Sequence, residues 1–340
     1  MIRMFNNVKN ERGRMNTRPL GSKDVKIGEI GLGCWQFGGD FGDMKEETAR
    51  LIMETAVDNG VNFFDTADVY GAGRSESLIG RFLKDCDMPV TVATKFGRDG
   101  DVYPDRYTEG KLRQSIEGSA GRLGVDTIDL LQLHCIPAQV LRRGEVFDWL
   151  RRAKQDGLIR HFGASVETVE EGLLCLEQEG LLSLQVIFNI FRQKLITRLF
   201  PQAKEKGVGI IVRLPLASGL LAGKFTKETT FAANDHRNYN RDGQVFNVGE
   251  TFAGLPFEKG VELADMIKNW LPSGMSLVQL ALRWVMDHDA VSVVIPGASS
   301  PEQARTNANV TDLPPLPEKL HRKLSEFYEQ KVRSHIRGPY

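Results

Sequence analysis

From about residue 45 the chain repeats one theme: an amphipathic helical stretch, a glycine, then a short apolar run. Residues 45–59 put Leu51, Ile52, Thr55 and Ala56 on one helical face and stop at Gly60. The run 61–64 follows as a strand and ends at Asp65. Helix 74–84 leads to strand 90–94, which ends at Lys95. Helix 108–123 leads to strand 128–133 and His134, and helix 144–155 to strand 159–164 and Ser165. Helix 167–179 precedes strand 184–189, and helix 196–206 precedes strand 208–213. With 30–35 as the first strand and 291–295 as the last, there are eight.

Strands that alternate with helices of this length make βαβ units on a parallel sheet. Unbroken Val/Ile/Leu strands are covered on both faces. Eight such units in 340 residues predict an α/β fold of the (β/α)8 TIM-barrel type, with insertions. A doubly wound sheet, the other candidate, requires a glycine-rich phosphate turn after its first strand, and residues 31–34 hold only a fragment of one. Residues 18–30 alternate around Gly21-Ser22 and Gly28, which predicts an N-terminal hairpin covering the barrel floor. A long polar segment, 223–256, follows strand seven and leaves from the C-terminal face, where a loop of this length acts as a lid or clasp. No linker divides residues 16–340, so they read as one domain. Residues 1–15 carry Arg3, Lys9, Arg12 and Arg14 but no apolar stretch, and read as a flexible leader rather than a secretory signal.

Charge and composition narrow the partners. The 44 Lys+Arg balance 44 Asp+Glu and the pI is near 7.0, so no field draws the chain to nucleic acid or an anionic membrane. No apolar run approaches the ~20 residues of a spanning helix. Cys34, Cys86, Cys135 and Cys175 are scattered without metal-ligand spacing, as expected of reduced thiols in a cytoplasmic protein that holds no metal. The barrel helices show no self-complementary apolar stripe, and the oligomeric state stays open.

In a TIM barrel the chemistry sits at the C-terminal ends of the strands. Asp65, Lys95 and His134 stand there, directly after strands two, three and four, and Tyr70 lies five residues past Asp65. One such residue alone would read as a cap or a turn; four at one mouth read as a site. A phenol with a reference pKa near 10 is a poor acid at neutral pH. An adjacent ammonium stabilises its phenolate, and a carboxylate keeps that ammonium charged. An imidazole N–H can hold a carbonyl oxygen in place. This set suits carbonyl reduction or its reverse; it contains no hydride, which a cofactor must bring.

These residues lie in a wider pattern: 64–71 (Phe-Asp-Thr-Ala-Asp-Val-Tyr-Gly), Thr94-Lys95, Leu133-His134, 162–165 (Phe-Gly-Ala-Ser), 215–224 (Pro-Leu-Ala-Ser-Gly-Leu-Leu-Ala-Gly-Lys) and 295–297 (Ile-Pro-Gly). In these motifs the chain resembles the aldo-keto reductases from about Arg18 to its last helix. The resemblance implies a catalytic tetrad of Asp65, Tyr70, Lys95 and His134, with Tyr70 as general acid/base and Trp35, Tyr70 and His134 against the substrate. It also implies a nicotinamide cofactor, NADPH first and NADH second. Ser165 and Gln185 would hold the carboxamide, with Gly33, Cys34, Trp35, Asp65 and Arg213 around the ring. Leu214, Pro215, Leu216, Ser218, Gly219 and Lys224 would line the pyrophosphate, and Gly297, Ser299, Gln303 and Asn307 the adenosine.

Four positions depart from the family's habit. Arg213 stands where many relatives stack an aromatic ring on the nicotinamide; its charge would disfavour the oxidised, cationic ring or, alternatively, bind an anionic substrate group. Val166 replaces a polar residue. Ser299 and Gln303 replace a cation that meets the 2′-phosphate, which shrinks the discrimination for NADPH. Trp35, Phe37, the loop 97–106 and the long lid are expected to shape the substrate pocket; Asp99, Asp101, Arg106, His236 and Arg237 either meet a polar, sugar-like ligand or are plain solvated loop charges. The leading reading is an oxidoreductase that reduces an aldehyde or ketone. The alternative is a redox-sensing regulatory subunit that binds the cofactor with little turnover. An aldolase-like use of Lys95 is opposed by Asp65, which would keep the amine protonated.

Overall fold

Each barrel strand is a short apolar run, so each is driven inward on both faces. In the computed structural model, which describes residues 15–340, these runs form one parallel sheet in chain order. An antiparallel pair, β1 (Thr17–Leu20) and β2 (Ser22–Gly28), comes first. The barrel follows as β3 (Leu32–Gly33), β4 (Phe63–Asp65), β5 (Thr91–Phe96), β6 (Ile128–His134), β7 (Ile159–Ser165), β8 (Leu181–Ile187), β9 (Gly209–Arg213) and β10 (Val291–Val294). Parallel bridges Ile30↔Val294 and Gly33↔Gly297 close β3 onto β10, so the sheet has no open edge. The predicted (β/α)8 barrel, its hairpin and the long loop after the seventh barrel strand, β9, are all present. Strand β8 starts earlier than predicted, because Gly180 turns directly into the apolar pair Leu181-Leu182.

The helices pack outside. They are α1 (Glu46–Asp58), α2 (Arg74–Asp85), α3 (Glu109–Leu123), α4 (Ala138–Arg143), α5 (Glu145–Gln155), α6 (Val169–Leu176) and α7 (Leu195–Glu205). A short α8 (His236–Tyr239) lies within the long loop, followed by α9 (Phe257–Lys268), α10 (Leu277–Met286), α11 (Pro301–Ala308) and α12 (Glu318–Phe327). Side chains start several of them: Thr168 and Glu171 form a capping box on α6, Ser276 and Gln279 one on α10. Ser300 caps α11 ahead of Pro301.

The floor is built by the hairpin. Leu20 and Ile27, fully buried, close a cluster with Phe63, Ala93, Leu130, Leu182, Ile211 and Val293 from the barrel interior. At about 1.5–3 kcal/mol for each fully buried aliphatic side chain, this plug contributes to stability and to shape alike. Its turn needs Gly21, whose φ is +68° and whose missing Cβ would lie 2.3 Å from the Leu182 carbonyl oxygen. Residues 1–14 of the expected leader lie outside the described residues. Met15, counted with it, is buried against Gly28 and Gly60 and belongs to the core.

The long loop is not structureless. It carries α8 and single 3-10 turns at Val248–Glu250 and Phe252–Gly254, and it buries Asp235, His236, Asn240, Glu250 and Thr251 against the mouth.

Candidate active site

A strand alternates sides with a period of two, so a residue two beyond an inward apolar side chain also points inward. Phe63, Ala93 and Leu130 lie in the floor cluster; two residues on are Asp65, Lys95 and Gln132, and His134 is two further. The register sets Lys95 opposite Gln132, His134 opposite Ser165 and Ser165 opposite Gln185. An apolar layer thus supports a polar one at the C-terminal ends of the strands.

Within that layer Lys95 Nζ donates to Asp65 Oδ1 at 2.6 Å, to the Thr66 carbonyl at 2.7 Å and to the Tyr70 hydroxyl at 3.2 Å. The other oxygen of Asp65 accepts from the amides of Gln132 (3.0 Å) and Gln185 (2.6 Å). Ser165 Oγ in turn donates to Gln185 Oε1 at 3.3 Å. Lys95 is 1% exposed, a depth at which an ammonium must be paired. Burial opposes its charge, but Asp65 and Tyr70 outweigh that and raise its pKa. For Tyr70 the balance differs from the simple picture of an ammonium lowering a phenol. Burial pushes the hydroxyl up to about 12, although Lys95 pulls the other way. His134 is held well below its ordinary value by burial and by Arg98, Lys95 and Arg213, so its imidazole is neutral at physiological pH. Its buried Nδ1 has no hydrogen-bond partner among the described residues.

Rings frame these groups. Trp35 stacks on Tyr70 (centroids 5.9 Å, 22° between planes), and Tyr70 meets His134 edge-on at 5.9 Å. Asp40 fixes Trp35 by accepting its indole N–H at 2.9 Å, while His236 and Phe246 from the long loop close against the same indole.

A second polar cluster lies beside the first. Arg213, at the end of β9, has Glu250 Oε2 at 3.7 Å and donates to Cys135 Sγ at 3.3 Å. Arg98 pairs with Glu167 at 2.8 Å and with Glu250 Oε1 at 3.0 Å, and Asn247 donates to Glu167 at 2.8 Å. Glu250 and Asn247 both come from the long loop, which is thereby clasped to the barrel. Burial alone would raise the Glu250 carboxyl, but Arg98 and Arg213 overcome it and bring it down to about 2. Glu167, raised by burial and by the Glu250 charge, lies at about 7. Cys135, Glu167 and Glu250 offer ligand atoms within 4.8 Å of one another, but the two guanidiniums already supply the countercharge there.

Both clusters face one cavity of about 550 Å3 that runs from Tyr70 and His134 to α11. Its lining includes Gly33, Cys34, Trp35, Asp65, Gln185 and Arg213, the stretch Leu214, Pro215, Leu216, Ser218, Gly219 and Lys224, and, at α11, Gly297, Ser299, Gln303 and Asn307. Two predicted residues stand behind the wall: Lys95 behind Tyr70, and Ser165 behind Gln185. Phe37 is fully buried and the loop 97–106 supplies no lining residue, so neither shapes the pocket as expected. Leu214, Ala217 and Ser218 all take left-handed backbone, the kind of strain a packed scaffold holds at a binding turn. Gln132, Arg98 and Glu250 escaped the sequence reading. Gln132 was findable, as the inward residue one step below His134. Arg98 and Glu250 sit on loops whose course no periodicity gives.

The model of the Aldo/keto reductase family matches residues 29–329. The aldo-keto reductase YhdN of Bacillus subtilis (strain 168) is 28% identical over 302 residues, covering 87% of this chain and 89% of that protein. The NADH-specific methylglyoxal reductase of Escherichia coli (strain K12) is 28% identical over 315 residues, covering 86% and 92%. The solved glycerol dehydrogenase AKR11B4 from Gluconobacter oxydans superposes with a TM-score of 0.78 at 27% identity, covering 95% of this chain and 98% of that one. A match that opens just before the first barrel strand and closes just past α12 decides the kinship: the chain belongs to the aldo/keto reductase family, and is an NAD(P)H-dependent oxidoreductase.

Proposed function

We propose that this oxidoreductase reduces a small aldehyde or ketone, sugar-like in its polarity, to the alcohol, with Tyr70 as the proton donor. The observation that carries the reading is the bond from buried Lys95 to the Tyr70 hydroxyl, beside a neutral His134 in one cavity. A phenol at about 12 keeps its proton until a substrate oxygen gains charge. Lys95 then stabilises the phenolate that remains, and Asp65 keeps Lys95 cationic. His134, being neutral, can orient the carbonyl oxygen without competing for the proton. The nicotinamide cofactor supplies the hydride when bound.

The residues fit such a cofactor. One cavity joins amide groups, a left-handed turn and the capped N-terminus of α11. Gln185 would hold the carboxamide, with Ser165 fixing its orientation. Leu214 to Gly219 and Lys224 would take the pyrophosphate, and Gly297, Ser299, Gln303 and Asn307 the adenosine. At that end Gln303 Oε1 accepts from both the Ser299 N–H and its hydroxyl, and Arg305 is paired with Glu302. A 2′-phosphate would find that guanidinium engaged, so NADPH is used with little advantage over NADH.

Fluorescence titration with NADPH and NADH tests the binding half of this reading. Trp35 lines the cavity and is expected to report it. Oxidation of the reduced cofactor with methylglyoxal or glyceraldehyde tests the chemistry. Absence of binding to either cofactor overturns the reading. Tight binding without turnover of any carbonyl would point to the regulatory alternative.

A further inference from the structure

Three cations surround the reacting end of the cavity. Lys95 is matched by Asp65 at 2.6 Å, and Arg98 by Glu167 at 2.8 Å and by Glu250 Oε1 at 3.0 Å. Arg213, whose guanidinium is in the cavity wall, has one carboxylate among the described residues, Glu250 at 3.7 Å. Its other partners there are a thiol and the Val166 carbonyl. Glu250 lines the same cavity and is 6% exposed; its Oε1 lies 3.0 Å from Arg98 and its Oε2 faces Arg213, so one carboxylate bridges the two guanidiniums. So the charge that the sequence sets beside the nicotinamide has a counterpart brought by the long loop, from 37 residues further along the chain.

We propose that Glu250 is the electrostatic partner of the oxidised nicotinamide. By offsetting Arg213 it lets the protein hold the oxidised cofactor nearly as well as the reduced one, and it makes that balance a property of the lid. The inference rests on the cofactor placement proposed above and revises the expectation that Arg213 disfavours the oxidised form. The two redox forms share every contact of their phosphates, riboses and adenine; they differ at the ring, which is cationic in one and neutral in the other. A fixed charge in the wall acts on that difference alone, whereas lid packing acts on both forms alike. With an effective dielectric of about 20, one unit charge changes a binding ratio by tenfold or more out to roughly 12 Å. Salt screens it little, because the carboxylate is buried.

The test measures the dissociation constants of NAD+ and NADH on the full chain by protein fluorescence and calorimetry. In Glu250→Gln the ratio of the oxidised to the reduced constant is expected to rise about tenfold. In Arg213→Gln it is expected to fall, and this variant decides the matter alone if Glu250→Gln does not fold. The double variant is expected to return towards the wild-type ratio, because the two opposite charge removals offset each other at the ring. Asn247→Ala, which cuts another lid bond and removes no charge, is expected to weaken both forms equally. Equal weakening by Glu250→Gln would make Glu250 a packing residue and overturn the proposal, as would an unchanged ratio. Failure of the wild-type chain to bind either form would instead overturn the cofactor reading beneath it.

Discussion

Tyr70 draws its properties from its neighbours. Its ring lies in the cavity wall, braced by the Trp35 ring, and its hydroxyl is hydrogen-bonded by an ammonium that a carboxylate holds in place. Tyr70→Phe would remove the proposed proton donor and leave the cavity intact. It is expected to lower kcat/KM for carbonyl reduction by about 10²–10⁴-fold while cofactor affinity stays unchanged, as steady-state kinetics and fluorescence titration would show. The phenol pKa is raised, so the donor keeps its proton at neutral pH and is lost only as the solution turns strongly alkaline. The His134 pKa is lowered, so that ring has already shed its proton and adds no acid limb. The profile of kcat/KM for reduction is therefore expected to stay level across the neutral range and bend downward only on the alkaline side. Lys95→Met removes one half of a buried ion pair and leaves Asp65 charged among amides. It is expected to cost about 3–5 kcal/mol in urea unfolding, besides its effect on turnover.

Among the elements, the long loop and the hairpin show how much local pattern can reveal. The hairpin was legible: alternation around Gly21-Ser22 gives both its strands and its place. Gly21→Ala, forced to φ +68° with a carbonyl oxygen in its path, is expected to lower the urea midpoint. The loop was legible only as a loop, because its fold depends on partners far away in sequence: Arg98, Glu167 and Arg213 for Glu250 and Asn247, and Trp35 for His236. Its clasp carries a pH dependence whose sign is fixed. The Glu167 pKa is higher in the folded chain, about 7 against an ordinary 4.5, so the folded state binds more protons between those values. Stability then falls as pH rises through that window. The difference between wild-type and Glu167→Gln thermal melts from pH 5 to 8 is expected to show this decline. Asp68, which burial likewise raises to about 7, adds a slope of the same sign, and the histidines that burial lowers, His134, His236 and His288, one of opposite sign below about pH 6.5.

At the scale of the whole molecule, one barrel separates endurance from chemistry: apolar side chains below, ionisable ones above. Ile27→Ala, in the floor, is expected to lose about 2–5 kcal/mol of stability with cofactor affinity unaltered, as unfolding and titration would show together. The barrel itself was readable because each βα unit repeats the same two periods, and because a side chain placed just after an inward apolar residue has few places to go. The charge balance at the mouth was not readable, since Arg213 is given by a strand and Glu250 by the course of a loop. The hairpin floor has a further consequence, in the order of events. A vessel sealed at its base has one doorway, so reagents reach Tyr70 and leave it past the same rim. Whatever lodges deepest is expected to arrive first and depart last, an order that product-inhibition patterns would show.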